Sequence, residues 1–235
     1  MRAFLFDLDD TLFDHRHSTR VALSAARACL PPLAALPFDA LEAAHAGVLE
    51  EVHREVIAGR IDVDAARVAR FARLVEMHGG RASREEVEAG ARAYRAAYLG
   101  ARRAVAGASE LLRVLRPHGA IAVVSNNVVA EQVAKIAVCG LRDDIDALVV
   151  SEEAGVAKPD PEIFRIALER VGCAPGQALM IGDSWNADIM GARAAGIRAI
   201  WFNPLRRPCP DAACLTAELH AWEPVEAVLA RVLAC

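Results

Sequence analysis

A chain of 235 residues that is 54% hydrophobic and 25% charged has the profile of a globular protein with a buried core, which excludes global disorder. With 27 Lys and Arg against 31 Asp and Glu the net charge is -4, so no excess positive field gathers nucleic acid or anionic lipid. The six cysteines are dispersed, with no CxxC pair and no histidine at zinc-finger spacing; there is also no signal-peptide core and no bilayer-length apolar run, which together predict a reduced, cytoplasmic protein. Cys209 and Cys214 read as unrelated thiols, with a disulfide or metal pair as the alternative.

Residues 3–6 form a short continuous apolar run, the pattern of a buried strand in a parallel sheet. The run leads straight into Asp7, Leu8, Asp9, Asp10 and Thr11, and the period of two places Asp7 and Asp9 on one side of the emerging backbone. Two carboxylates at the mouth of a buried strand carry a desolvation penalty that a cation or hydrogen-bond donors must offset, so the pair points to a metal. The alternative is a polar strand end followed by helix capping through Asp10, Thr11 or Asp14. Residues 18–103 then break the pattern, being rich in Ala, Arg and Glu with a 3.6-residue apolar period. Turn signals at Pro31, Pro32, Pro37, Gly59, Gly79 and Gly80 divide this insertion into about four helices.

Beyond the insertion, apolar runs at 120–124, 147–150, 178–181 and 199–202 read as further strands. Helical spacing lies between them at Leu111, Leu112 and Leu115; Val133, Ile136 and Ala137; Ile163, Ile166 and Ala167; and Ile189, Ala192 and Ala195. Strand and helix alternate, which predicts an α/β fold: a core of residues 1–17 and 104–235 built on a doubly wound parallel sheet, carrying 18–103 as an inserted α-helical domain. Such a sheet gathers its site at the carboxyl ends of the strands. There the second run ends in Ser125, Asn126 and Asn127, the third is followed by Lys158 and Pro159, and the fourth ends in Gly182, Asp183 and Ser184, with Asp188 five residues past Asp183. A proline- and arginine-rich loop at 204–210 precedes a closing helix from about residue 224.

In this order DLDDT, VVSNN, AKPD and GDSWNAD resemble the four motifs of the haloacid dehalogenase superfamily: DxDxT, a terminal Ser or Thr, a Lys, and GDxxxxD. With their strands they cover the chain except the insertion. The resemblance implies a Rossmannoid core with a helical cap placed over the site. The stretch GDSWNADIMGARAAG, followed by IWFNP, is similar to phosphatases of nucleotides and sugar phosphates. By this resemblance the chain is a magnesium-dependent phosphatase in which Asp7 is both metal ligand and the nucleophile that becomes phosphorylated. Asp183 then supplies the second carboxylate, the backbone carbonyl of Asp9 a third protein oxygen, and Asp188 holds a metal-bound water or Lys158. Lys158 sets a compact charge against Asp7 and the phosphoryl group; it and Lys135 are the only two lysines in the chain. Ser125 and Asn126 serve the phosphate, and Thr11 braces the loop that positions Asp9.

Asp9 decides the reaction class, because a departing alkoxide must be protonated and a departing halide need not be. Dehalogenases of this superfamily typically lack that aspartate. The expected partner is a small phosphorylated metabolite, with no nucleic acid and no membrane, and the chain acts as monomer or homodimer. Hydrolytic dehalogenation, phosphoryl transfer within a sugar and a catalytically silent interaction protein are the alternatives. His15, Arg16, His17 and Arg20, which follow the first motif, read as hinge and surface residues before they read as site residues.

Overall fold

The computed structural model describes residues 2–57 and 59–235. Met1, at the head of the expected core, and Ala58, inside the expected insertion, lie outside the described residues. The chain divides into two compact units, one made of the segment to His15 with Arg103–Cys235, the other of Arg16–Arg102.

The first unit is built on six strands, β1 (Ala3–Phe6), β2 (Ala120–Ser125), β3 (Ala147–Val150), β4 (Ala178–Gly182), β5 (Arg198–Phe202) and β6 (Ala217–Leu219). They form one parallel sheet in the order β3-β2-β1-β4-β5-β6. The five apolar runs are β1 to β5; β1, β2 and β4 are buried along their whole length, while the first two residues of β3 are partly exposed and β5 opens on the exposed Arg198. β6 escapes the sequence reading because three residues carry no period; pairing with β5 from Ile200↔Ala217 to Phe202↔Leu219 makes it a strand. The chain winds outward from β1 to β3 and then returns to the other side of β1 for β4. That reversal opens a crevice at the carboxyl ends of β1 and β4. Phe6 pairs with Ile181, so Asp7 and Asp183 leave adjacent strands.

The second unit carries the helices α1 (His15–Cys29), α2 (Pro31–Ala34), α3 (Phe38–Ile57), α4 (Val63–Met77) and α5 (Arg84–Gly100), α1 beginning in the first. The starts of α4 and α5 are capped: Asp62 accepts from the Ala65 N–H at 2.7 Å, and Ser83 and Glu86 form a reciprocal capping box at 3.2 and 2.7 Å. Pro31 and Pro32 open α2, and Gly79 follows α4 at φ 68.

Between the strands of the first unit run α6 (Ala108–Leu115), α7 (Val129–Val138), α8 (Ser151–Ala154), α9 (Pro161–Val171) and α10 (Gly191–Ala194), with α11 (Val225–Ala234) closing the chain. Ile163, Phe164 and Ala167 of α9 pack with Leu5, Val124, Met180 and Ile189 in one apolar cluster. One helix departs from its apolar spacing: on α7, Val133 is 47% exposed, while Gln132, Lys135 and Ile136 face inward. Elsewhere, Trp222 is fully buried, stacked on Phe202 at 3.9 Å and 9° and edge-on to Phe6 at 6.4 Å. Each aromatic pair contributes about 0.5–1.5 kcal/mol beyond its buried area. The Trp222 indole N–H donates to the Thr11 carbonyl at 2.8 Å, tying the closing segment to the loop after β1.

All six cysteines are free thiols, and Cys214 donates to the Asp211 carboxylate. Among the described residues no helix is long and apolar enough to cross a membrane.

Candidate functional site

The first motif begins by extending the sheet, since the Asp7 N–H donates to the Ile181 carbonyl at 2.9 Å. The backbone then turns at once, with the Leu12 and Phe13 N–H groups on the Leu8 carbonyl at 2.9 and 2.8 Å. Asp10 sits at φ 60, the left-handed region that aspartate tolerates better than most residues. Thr11 is fully buried and its hydroxyl has no partner, so the residue lies inside the loop, gripped through its carbonyl by Trp222.

Lys158 bridges the first and fourth motifs. Its Nζ lies 2.6 Å from Asp7 Oδ1 and 2.6 Å from Asp188 Oδ1, and it is buried. Asn126 holds that lysine in place, accepting from the Lys158 N–H at 2.7 Å and donating to its carbonyl at 2.8 Å, so the Asn126 amide is spent on the lysine backbone. Asp188 turns back toward β4 because Trp185–Met190 form a π-helical turn, closed by the Ile189 N–H on the Ser184 carbonyl at 3.3 Å. Its Oδ2 accepts from the Ser184 N–H at 2.9 Å. Gly182 leaves room for this, since a Cβ there would lie 2.3 Å from Asp188 Oδ2.

One oxygen each from Asp7, Asp183 and Asp188 lie within 4.8 Å of one another. Asp7 and Asp188 share the Lys158 ammonium, and Asp183 has only the half-exposed Arg207 at 3.4 Å, which leaves an excess of negative charge in a largely buried cluster. Burial, resisted by Lys158 and reinforced by Asp188, pushes the Asp7 carboxyl up to about 7. Burial, then repulsion from Asp7, Asp188 and Asp10, pushes Asp183 up to about 8. For Lys158 burial acts the other way, but Asp188 and Asp7 overcome it and hold the ammonium charged. Crowded hard oxygens that resist ionising together are a donor set suited to magnesium, so the residues present fit a divalent cation.

The pH dependence of stability follows from these shifts. Between about pH 4 and 8 the folded chain keeps protons on Asp7 and Asp183 that the unfolded chain has released, so their contribution to stability is lost as pH rises through that window. A divalent cation held by these carboxylates would take the place of those protons. The rise in Tm on adding magnesium is therefore expected to be larger at pH 8 than at pH 5, and Asp183→Asn to remove most of it. Equal rises at both pH values would separate the carboxylate cluster from metal binding.

Asp9 lies in a second polar pocket. Lys135 Nζ reaches its two oxygens at 2.6 and 2.9 Å, Gln132 donates at 3.1 Å, Asn127 loosely at 3.4 Å, and His15 Nδ1 stands 3.8 Å away. Burial alone would raise the Asp9 carboxyl, but Lys135 and then His15 outweigh it and hold the group well below the usual carboxylate range. Gln132 also donates to Ser125 Oγ at 2.5 Å, joining the end of β2 to this pocket. The structure thus gathers Asp7, Lys158, Asp183 and Asp188 in one cluster, with Asn126 behind the lysine, and sets Asp9 and Ser125 in an adjoining network.

Sequence reasoning missed Lys135 and Gln132 and placed His15 with the hinge residues. The available signal was the lysine count: both lysines of the chain are buried here, while every other basic side chain except histidine is arginine. Arg207, in the proline- and arginine-rich loop, stands 3.4 Å from Asp183 Oδ2, a contact that no sequence pattern signals.

A family model for haloacid dehalogenase-like hydrolases matches residues 1–196. Over 205 residues the chain is 33% identical to the ribulose-1,5-bisphosphate 5-phosphatase of Halopiger xanaduensis, covering 86% of this chain and 84% of that one. It is 30% identical over 204 residues to the glyceraldehyde 3-phosphate phosphatase of Methanothermobacter thermautotrophicus, with 86% of each covered. Among solved structures, the putative HAD-hydrolase YfnB from Bacillus subtilis bound to magnesium superposes with a TM-score of 0.73 at 26% identity, over 97% of this chain and 98% of that one.

Proposed function

This chain belongs to the haloacid dehalogenase-like hydrolase family and is a hydrolase of the phosphatase kind; we propose that it cleaves a small phosphate monoester of the sugar-phosphate or nucleotide class, with magnesium, through a phosphorylated Asp7. The observation that carries this reading is the buried grip of Lys158 on Asp7 and Asp188 beside Asp183, with Asp9 held apart as a separate carboxylate.

In the first step an Asp7 oxygen bonds to phosphorus as the ester P–O bond breaks, and the leaving oxygen takes a proton from Asp9. In the second, water bonds to phosphorus and gives a proton to Asp9, while the bond from Asp7 to phosphorus breaks and releases phosphate. Lys158 keeps Asp7 aligned and offsets the repulsion between an anionic nucleophile and an anionic substrate. Held by Asp7, Asp183 and the Asp9 backbone carbonyl, with Asp188 close by, magnesium would supply the positive charge a phosphate dianion requires. Asp9 rests as a carboxylate on Lys135, the form needed for the second step, and the first step requires its protonated form. Hydrolytic dehalogenation has no use for Asp9, since a halide leaves without a proton.

A panel of sugar phosphates and nucleotides assayed for phosphate release, with magnesium and with chelator, tests this reading. Release from members of the panel is expected with magnesium and is lost on chelation. Full activity in metal-free buffer, or no release from any member, would refute it.

A further inference from the structure

The helical unit holds a cation that the proposed chemistry does not use. Arg70 lies on the inward face of α4 with Ala66, Phe71, Leu74 and Val75, and it is 8% exposed. Its guanidinium carbon stands 4.4 Å from the ring centroid of Tyr94 on α5 and 5.2 Å from that of Phe71. His45 of α3 belongs to the same cluster, 5.2 Å from the Tyr94 ring, and Tyr98 stacks on Tyr94 at 6.0 Å and 13°. No carboxylate and no hydrogen-bond acceptor is paired with Arg70 among the described residues, and its Nε is sealed from solvent without a partner.

That is a costly way to bury a guanidinium. Its five N–H donors point outward in its own plane, and an aromatic ring covers only its flat face. Burial is the largest influence and disfavours the charged form, as do the like charges of Arg67 and Arg95, and Tyr94 and Tyr98 relieve this only in part. Arg67 already has Asp64 at 2.6 Å, so the charge without a counterion in the cluster is that of Arg70. A planar cation fixed on an aromatic face, with its donor edge unfilled, is the arrangement that receives a carboxylate or phosphate through two parallel hydrogen bonds.

We propose that Arg70, backed by Tyr94 and Phe71, is a binding site within the helical unit for a carboxylate or phosphate group of a small metabolite. Two sources share that chemistry: a second anionic group on the substrate itself, or a separate small anion that regulates the enzyme. The first source rests on the phosphatase function proposed above; the site does not.

Two measurements on the full chain test the site and tell the sources apart. Arg70→Met keeps the apolar stem and removes the charge, while Arg70→Lys keeps the charge and loses the fork. In chelator, at matched ionic strength, succinate and inorganic phosphate are expected to raise the Tm of the parent protein. Arg70→Met is expected to lose that rise and Arg70→Lys to retain part of it. The second measurement compares kcat/KM for an alkyl phosphate and its carboxylated counterpart. A fall of about 10–100-fold in preference for the carboxylated member in Arg70→Met, the worth of a hydrogen bond to a charged group, assigns the anion to the substrate. An unchanged preference, with the Tm response lost, assigns it to a separate ligand. A parent protein whose Tm ignores both anions, or an Arg70→Met protein that keeps the rise, overturns the proposal. Because melting requires no turnover, failure of the site and failure of the phosphatase function are read separately.

Discussion

Asp7→Asn is expected to lower phosphate release by about 10⁴-fold or more and to leave no trace of a covalent phosphoenzyme, because an amide oxygen cannot form the acyl phosphate. The variant should fold. Burial already favours the uncharged form of Asp7, whose carboxyl is pushed up to about 7, so a neutral side chain suits the pocket, and Lys158 keeps Asp188 as its partner. In metal-free buffer at pH 8 the variant should even melt above the parent, since one of three crowded carboxylates has gone. Intact-mass measurement after quenching with acid, alongside the melting curve, gives both results. A phosphoryl group found on the variant, or on any residue other than Asp7 in the parent, would overturn the mechanism.

Asp9→Asn should separate substrates by leaving group. With alkyl phosphates the departing oxygen is strongly basic, and loss of the proton donor is expected to cost on the order of 10² to 10⁴ in rate. With p-nitrophenyl phosphate the leaving phenolate is already stable, so the first transfer suffers far less. Water attack on phospho-Asp7 still lacks its base, and the variant should release a burst of nitrophenol and then stall. One complication is physical: Lys135 is buried and would lose its ion partner, which costs about 3–5 kcal/mol when only one member of such a pair is removed. Combining Asp9→Asn with Lys135→Met should restore stability without restoring turnover. Equal slowing of alkyl and aryl substrates in single-turnover measurements, with no burst, would show that Asp9 has no part in proton transfer.

The residues that were legible in the sequence share a cause. A strand covered on both faces must be apolar without interruption, so β1 to β5 stood out, and the polar residues that end such runs gather where a doubly wound sheet reverses. Asp7, Ser125 and Asp183 stand out by that route, Lys158 by following the third run, and Asp188 by its spacing from Asp183. α7 misled the same reasoning. Apolar period there selected Val133, yet the helix turns Gln132 and Lys135 inward, one turn apart, because Asp9 needs donors more than that face needs hydrocarbon. Arg70 was invisible for a related reason. It occupies an inward position on α4 between Ala66 and Leu74, and a pattern reading takes a charge there for an interruption of the apolar stripe. β6 is three residues long and owes its form to its neighbour.

The placement of the two lysines has a further consequence for the chemistry of the whole surface. Lys135 and Lys158 are 2% and 5% exposed, and every other positive side chain apart from histidine is a guanidinium. Among its side chains, then, the folded molecule offers no freely exposed primary amine to an acylating, carbonyl or glycating reagent. Modification of a lysine would report on the opening of the Asp7 or Asp9 pocket and on nothing else, and Lys158, held between two carboxylates as a charged ammonium, lacks the lone pair such reagents need.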